Sequence, residues 1–157
     1  MTTTTETEIM AALAAIELEI PGIVRTYVNA PETINSADMP LFVNLPGPAV
    51  MDWNSAYDAF ANEGRKSREF YAVLIVAPVG TGVPGEKLAA VNTYFDPAMR
   101  AFQSHRTLKS LDAIVKSVFT GDTGVRADLE YSGLRWYGIR FTVQVTWRVR
   151  VTYAANE

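Results

Sequence analysis

The chain contains no cysteine and only one histidine, His105, which excludes disulfides and thiolate metal sites and leaves almost nothing from which to build a zinc centre. It has no excess of basic charge. Fourteen Lys and Arg against seventeen Asp and Glu give a net charge of −3, which argues against general affinity for nucleic acid. No apolar run approaches the ~18–20 residues needed to cross a bilayer. Met1 to Glu8 carries two acids and no base, a poor match to a secretory signal. The expectation is a soluble, intracellular protein that folds as one domain over 1–157, with 1–5 frayed and no cofactor or metal.

The strongest positive signal lies at the C-terminus. From Tyr137 the odd positions read Tyr, Ile, Phe, Val, Val, Trp, Val, Val and Tyr153, while the even positions read Gly, Arg, Thr, Gln, Thr, Arg, Arg and Thr152. Period-two alternation puts an apolar face and a polar, basic face on one β-strand. Seventeen residues at ~3.3 Å each span roughly 55 Å, against roughly 30 Å for a domain of this length. Such a strand must bend sharply or leave its own domain, so 147–157 is expected to be an inter-subunit extension.

Upstream, Thr5-Glu6-Thr7-Glu8 fits a capping box, and Ile9, Leu13, Ile16 and Ile20 then form one helical face ended by Pro21-Gly22. A short strand is expected within 23–28, and another over 41–45 closed by Pro46-Gly47-Pro48. Residues 49–68 read as an irregular insertion or arm, with a solvated basic run at Arg65, Lys66 and Arg68. Phe70 to Val76 is apolar on both faces, which predicts a central strand covered by helices. Leu88, Val91, Phe95, Met99 and Phe102 hold one helical stripe that kinks or restarts at Asp96-Pro97. Leu108 to Val115 reads as another short helical piece, and the alternation of 125–131 with Ser132-Gly133 predicts a hairpin into the final strand. The order of elements predicts an α+β fold: one mostly antiparallel sheet with a long C-terminal strand and helices packed on one face.

Candidate chemistry is sparse, and the chain reads as a non-enzyme. Gly80-Thr81-Gly82-Val83-Pro84-Gly85 matches G-x-G-x-x-G between a strand and a helix, but no parallel strand with an acidic tip follows, and Glu86 stands where a phosphate loop needs lysine. A tight strand-to-helix turn explains it better than a nucleotide site. His105 next to Ser104 is a poor dyad, because adjacent residues do not face each other on a helix, and a role at the last helical carbonyls is expected instead. Asp128 and Glu130 share one strand face, where they either pair across the hairpin with Arg140 or line a channel. Arg140, Arg148 and Arg150 form either a solvated face or an inter-subunit contact, since guanidinium forks suit carboxylates. Trp53, Tyr57 and Phe60 are either core or the anchors of an interface arm.

Several segments carry a resemblance. Ile20-Pro21-Gly22-Ile23, Asn35 to Pro40, Val76-Ala77-Pro78, Ser104 to Leu108, Thr120 to Val125, Leu129 to Gly133 and Tyr137 to Val143 together resemble tail terminator proteins of long-tailed bacteriophages. These are signatures of turns and strand phase rather than of catalysis, and they run from about residue 9 to residue 152. The resemblance implies a virion protein of the tail or neck, assembled in the host cytoplasm. It implies a homo-oligomeric ring, typically a hexamer, that caps the head-proximal end of the tail tube. Its implied partners are the tail tube protein and a head-closure or connector protein, with DNA passing through the lumen without specific binding. Another neck component, such as a head-tail joining subunit, is the neighbouring alternative.

Overall fold

The computed structural model describes residues 5–52, 63–80, 82–108 and 116–150. In chain order these form α1 (Glu6–Glu17), β1 (Arg25–Tyr27), β2 (Leu41–Asp52), β3 (Glu63–Pro78), α2 (Pro84–Asn92), α3 (Phe95–Ser104), β4 (Lys116–Asp122), β5 (Arg126–Tyr131) and β6 (Leu134–Arg150), with a single 3₁₀ turn at Ser36–Asp38. The fold is α+β. Five strands follow the order β1-β2-β3-β6-β4, and β5 pairs with β6 off this path. Only the β1–β2 pair is parallel.

α1 begins as its sequence dictates. Glu8 N–H donates to Thr5 Oγ1 (3.2 Å) and Thr5 N–H donates to Glu8 Oε2 (2.7 Å), so the capping box is closed and Thr5 is an ordered N-cap rather than a frayed residue. Ile9, Leu13, Ile16 and Ile20 are all buried. α2 and α3 are separate helices. The break falls at Thr93-Tyr94, with Tyr94 as N-cap, which places Pro97 in the first turn of α3, where its missing N–H costs nothing.

β6 keeps its expected phase. Tyr137, Ile139, Phe141, Val143, Val145 and Trp147 are buried against the helices, while Arg140 and Gln144 are exposed. Its length is matched within the same chain, because β3 pairs with it from Pro78↔Trp136 to Glu63↔Arg150. Two corrections follow. Residues 49–52 and 63–68 are strand rather than irregular insertion, and they extend the β2–β3 pair to Asp52↔Arg65. Trp147, assigned to an inter-subunit extension, is core: it is 3 % exposed and its ring lies 6.2 Å from that of Phe70.

β2 runs straight through Pro46-Gly47-Pro48 instead of closing there. Beyond Val43 no described strand pairs with its outer edge, so the prolines remove no needed ladder donor, and the register shift between Pro46 and Ala49 absorbs the irregularity. The basic run is not simply solvated either. Glu6 accepts from Lys66 Nζ (2.5 Å) and from Arg68 (2.6 Å), and Arg68 Nε donates to Gly47 O (2.7 Å), which fastens the start of α1 to the sheet.

β4 had no place in the expected order. Its inward positions are Ser117, Phe119 and Gly121, too little apolar surface to announce a strand.

The two faces of the sheet are covered differently. On one, Phe42, Phe70, Leu74 and the odd residues of β6 meet α1, α2 and α3. On the other, Leu41, Val43, Val73, Ile75 and Trp136 form a smaller core, covered not by helices but by Tyr27, Ile34, Met39, Leu129 and Tyr131. Both apolar faces of the central β3 are thus buried, one under helices and one under loop and strand.

Candidate functional site

The second face holds a cleft of about 410 Å³. Its floor is Leu45 of β2 with Tyr71 and Val73 of β3, and its wall is Leu129 and Tyr131 of β5. Polar groups reach it from Thr123, Arg126, Asp128, Glu130 and Arg140. Three of the sequence-nominated residues therefore meet in one place, Asp128 and Glu130 from β5 and Arg140 from β6.

Local chemistry fixes the wall. Ser132 (φ 54°) and Gly133 (φ 77°) make the tight turn between β5 and β6, the left-handed pair that matches strand twist in a two-residue hairpin. The Tyr131 hydroxyl donates to Pro31 O, and Ser132 Oγ donates to Glu32 O (2.6 Å), so the turn is tied to the loop before β2. Burial raises the Tyr131 phenol above its ordinary value, with the neighbouring Tyr27 adding to the effect. Trp136 Nε1 donates to Tyr131 O (3.1 Å). Gly138 is needed for close approach: a Cβ there would lie 1.9 Å from Leu74 O.

The charges pair differently from the expectation. Asp128 does not pair with Arg140. It accepts two bonds from Arg126 on its own strand, Nε to Oδ1 at 2.8 Å and an Nη to Oδ2 at 2.9 Å. This fork lowers the Asp128 carboxyl and raises the Arg126 guanidinium. Glu130 stands opposite Arg135 in the register. Arg140 lies over the Tyr71 ring, its guanidinium carbon 4.5 Å from the centroid, and has no side-chain hydrogen bond or ion pair among the described residues.

The other candidates are placed elsewhere. Trp53, Tyr57 and Phe60 lie outside the described residues. Arg148 and Arg150 stand on β6 opposite Arg65 and Glu63, far along the strand from Arg140. Leu111, Ile114 and Val115 also lie outside the described residues, while Leu108 is buried in a turn. His105 caps α3, but its Nε2 meets Glu19 Oε2 (3.1 Å) rather than the helix carbonyls. The Gly80–Gly85 turn joins β3, antiparallel to both its neighbours, to α2. It is not the first turn of a βαβ unit.

Sequence reasoning missed a buried carboxyl. Glu17 at the end of α1 is wholly buried and accepts from Asn44 Nδ2 (2.9 Å), which also donates to Tyr27 O (3.0 Å). Glu17 Oε1 and Asn44 Oδ1 have no hydrogen-bond partner among the described residues. Desolvation pushes the Glu17 carboxyl well above its ordinary value, so it is neutral over a wider pH range than a surface glutamate. The available signal was Asn44 inside an apolar strand, a buried amide that needs a partner.

Among the described residues, no group of His, Cys, Asp and Glu is arranged to hold a metal ion, and no helix is long and apolar enough to cross a membrane. No family model matches the chain, and no curated protein matches it.

Proposed function

We propose that this protein is a structural subunit of a phage neck, a ring that caps the head-proximal end of the tail tube and joins it to the head connector. The observation that carries the reading is a convergence at one end of the sheet. β2 ends at Asp52, β3 begins at Glu63 and β6 reaches Arg150, with Asp52↔Arg65 and Glu63↔Arg150 in register. The segment 53–62, with its three aromatic residues, and the C-terminal 151–157 therefore adjoin the same sheet end although the whole stretch 63–150 separates them in sequence. Two segments nominated separately as subunit contacts share one rigid support.

A sheet braced on one side by helices provides such a support, and a contact between different patches on neighbouring copies closes into a ring when its rotation allows. The resemblance of 76–78, 120–125, 129–133 and 137–143 to tail terminator proteins supports the tail end of the neck. The test is native mass in solution, followed by electron microscopy after mixing with tail tubes of the same phage. A ring that seats on tube ends and halts their growth is the expected result. A ring that binds only the portal-side adaptor would make it a head-closure protein, and a protein that neither oligomerises nor binds either structure would overturn the reading.

A further inference from the structure

The carboxyl buried at the end of α1 sits in a hydrogen-bond set that lacks one donor. Asn44 spends both Nδ2 hydrogens, one on Glu17 Oε2 (2.9 Å) and one on Tyr27 O (3.0 Å). Because Tyr27 O can only accept, the amide cannot be turned around, and Asn44 Oδ1 is fixed as an acceptor. Two buried acceptors are then left without a hydrogen-bond partner among the described residues, Glu17 Oε1 and Asn44 Oδ1. They belong to the two groups already joined through Oε2 and Nδ2. A single proton satisfies both: on Oε1 it makes a hydroxyl donor, and Oδ1 of the same amide accepts it. An ionised carboxylate would instead be wholly buried on one hydrogen bond. The charged groups around it are engaged elsewhere or face water. Glu6 of α1 is held by Lys66 and Arg68, and Glu8 by Thr5. Arg25 and Tyr27 of β1 both reach Asp38, and His105 at the end of α3 meets Glu19. Asp96 and Arg100 of α3 are exposed, and β2 has no charged residue from Leu41 to Met51.

We infer that Glu17 is carried as the neutral acid and forms a two-point pair with the Asn44 amide, a proton-held latch that fastens α1 and β1 to β2. The pair joins three elements, since Glu17 ends α1, Tyr27 ends β1 and Asn44 lies within β2. β1 is three residues long, at the sheet edge and paired on one side only. It therefore depends on side-chain ties, this one and the bond from Thr26 Oγ1 to Ala14 O (3.2 Å). With Ile34 and Met39, Tyr27 covers Leu41 and Val43 of the smaller core. Loss of the proton to solvent leaves a carboxylate that must reach water, so it detaches β1 and uncovers that core. The latch is closed at low pH and opens as pH rises, because only the open form hydrates the ionised group.

The first test is infrared spectroscopy of the folded chain at about pH 6, where a surface glutamate is ionised. A protonated-carboxyl band that is present in the parent, lost on unfolding and absent from Glu17→Gln is expected. A folded parent without that band overturns the inference, and this reading needs no variant to fold. The second test is amide hydrogen exchange, corrected for the intrinsic pH dependence of exchange. The amides of Val24 and β1 are expected to exchange through an opening that leaves those of β3 and β6 protected. Its population should rise about tenfold per pH unit above the ordinary value of 4.5, up to the folded value, because the open form loses one proton that the closed form keeps. Glu17→Gln supplies the same donor and acceptor without a titration, so there the pH dependence should vanish. Exchange of the β1 amides only together with those of β3 and β6 overturns the latch, as does an unchanged pH dependence in Glu17→Gln.

Discussion

The two faces of the sheet are built by opposite rules. The helix-covered face is an aromatic core centred on Phe141, whose ring lies 5.7 Å from Phe102, 6.0 Å from Phe95, 6.2 Å from Phe119 and 6.3 Å from Phe42. The opposite face has a thinner apolar layer under a hairpin, with two arginines and two acids around an open cleft. Stability is concentrated where water is excluded. The polar groups available to a partner are concentrated where it is not.

This contrast should be broken first at Phe141. Phe141→Ala is expected to cost about 3–5 kcal/mol in denaturant unfolding, because it removes a wholly buried ring and leaves a cavity among four others. Leu129→Ala on the cleft wall, half-buried, is expected to cost about 1–2 kcal/mol and to leave the helical circular dichroism unchanged. Equal losses at the two sites would erase the distinction between the faces.

Much of the helical face was legible in the sequence. The stripe from Ile9 to Ile20 and the alternation of β6 each require an apolar residue at every inward position, and each has one. The second face was not legible, because its core is assembled from residues far apart: Val43, Val73, Leu129 and Trp136 come from four strands, and only topology joins them. The alternation of β6 holds as strand from Tyr137 to Arg150, with 151–153 outside the described residues, but its partner was not foreseen. The lower half of β3, Glu63 to Glu69, is nearly all charged or polar, so its pairing with β6 is carried by backbone register and by polar cross-strand bonds, Ser67 Oγ with Thr146 Oγ1 (2.7 Å) and Gln144 Nε2 to Ser67 Oγ (3.1 Å), rather than by an apolar pattern. Arg140, Asp128 and Glu130 were rightly grouped, but the pairing depended on which side chains share a strand face within reach, and Arg126 is nearer to Asp128.

A sharper test uses the two carboxyls of α1, which titrate in opposite senses. Bonds and charge from Lys66 and Arg68 lower the Glu6 carboxyl, so its contribution is present above the ordinary value of about 4.5 and is lost as pH falls through the folded value. Burial raises the Glu17 carboxyl, so its contribution is full below about 4.5 and is lost as pH rises from there through its elevated folded value. Glu17→Gln is expected to raise the denaturation midpoint at pH values above 4.5 and to flatten the decline that begins there, while Glu6→Gln flattens the loss below it. An unchanged slope above pH 4.5 in Glu17→Gln would mean that the carboxyl reaches water in the folded state.

The smallest effect is expected on the open face. Asp128→Asn breaks a solvent-exposed fork, so the unfolding midpoint should not move measurably. A clear loss of stability would show that the pair braces the hairpin instead of standing free at the cleft rim.

The central claim is that the sheet end at Asp52, Glu63 and Arg150 is an assembly surface. The direct measurement is the native mass of the parent beside that of a variant truncated after Arg150, with 53–62 replaced by a short Asn-Gly turn. Trp147 and the whole described sheet are kept, so folding should be preserved by circular dichroism. The account predicts a ring for the parent and a folded, smaller species for the shortened chain. A shortened chain that assembles with the same mass as the parent would contradict it.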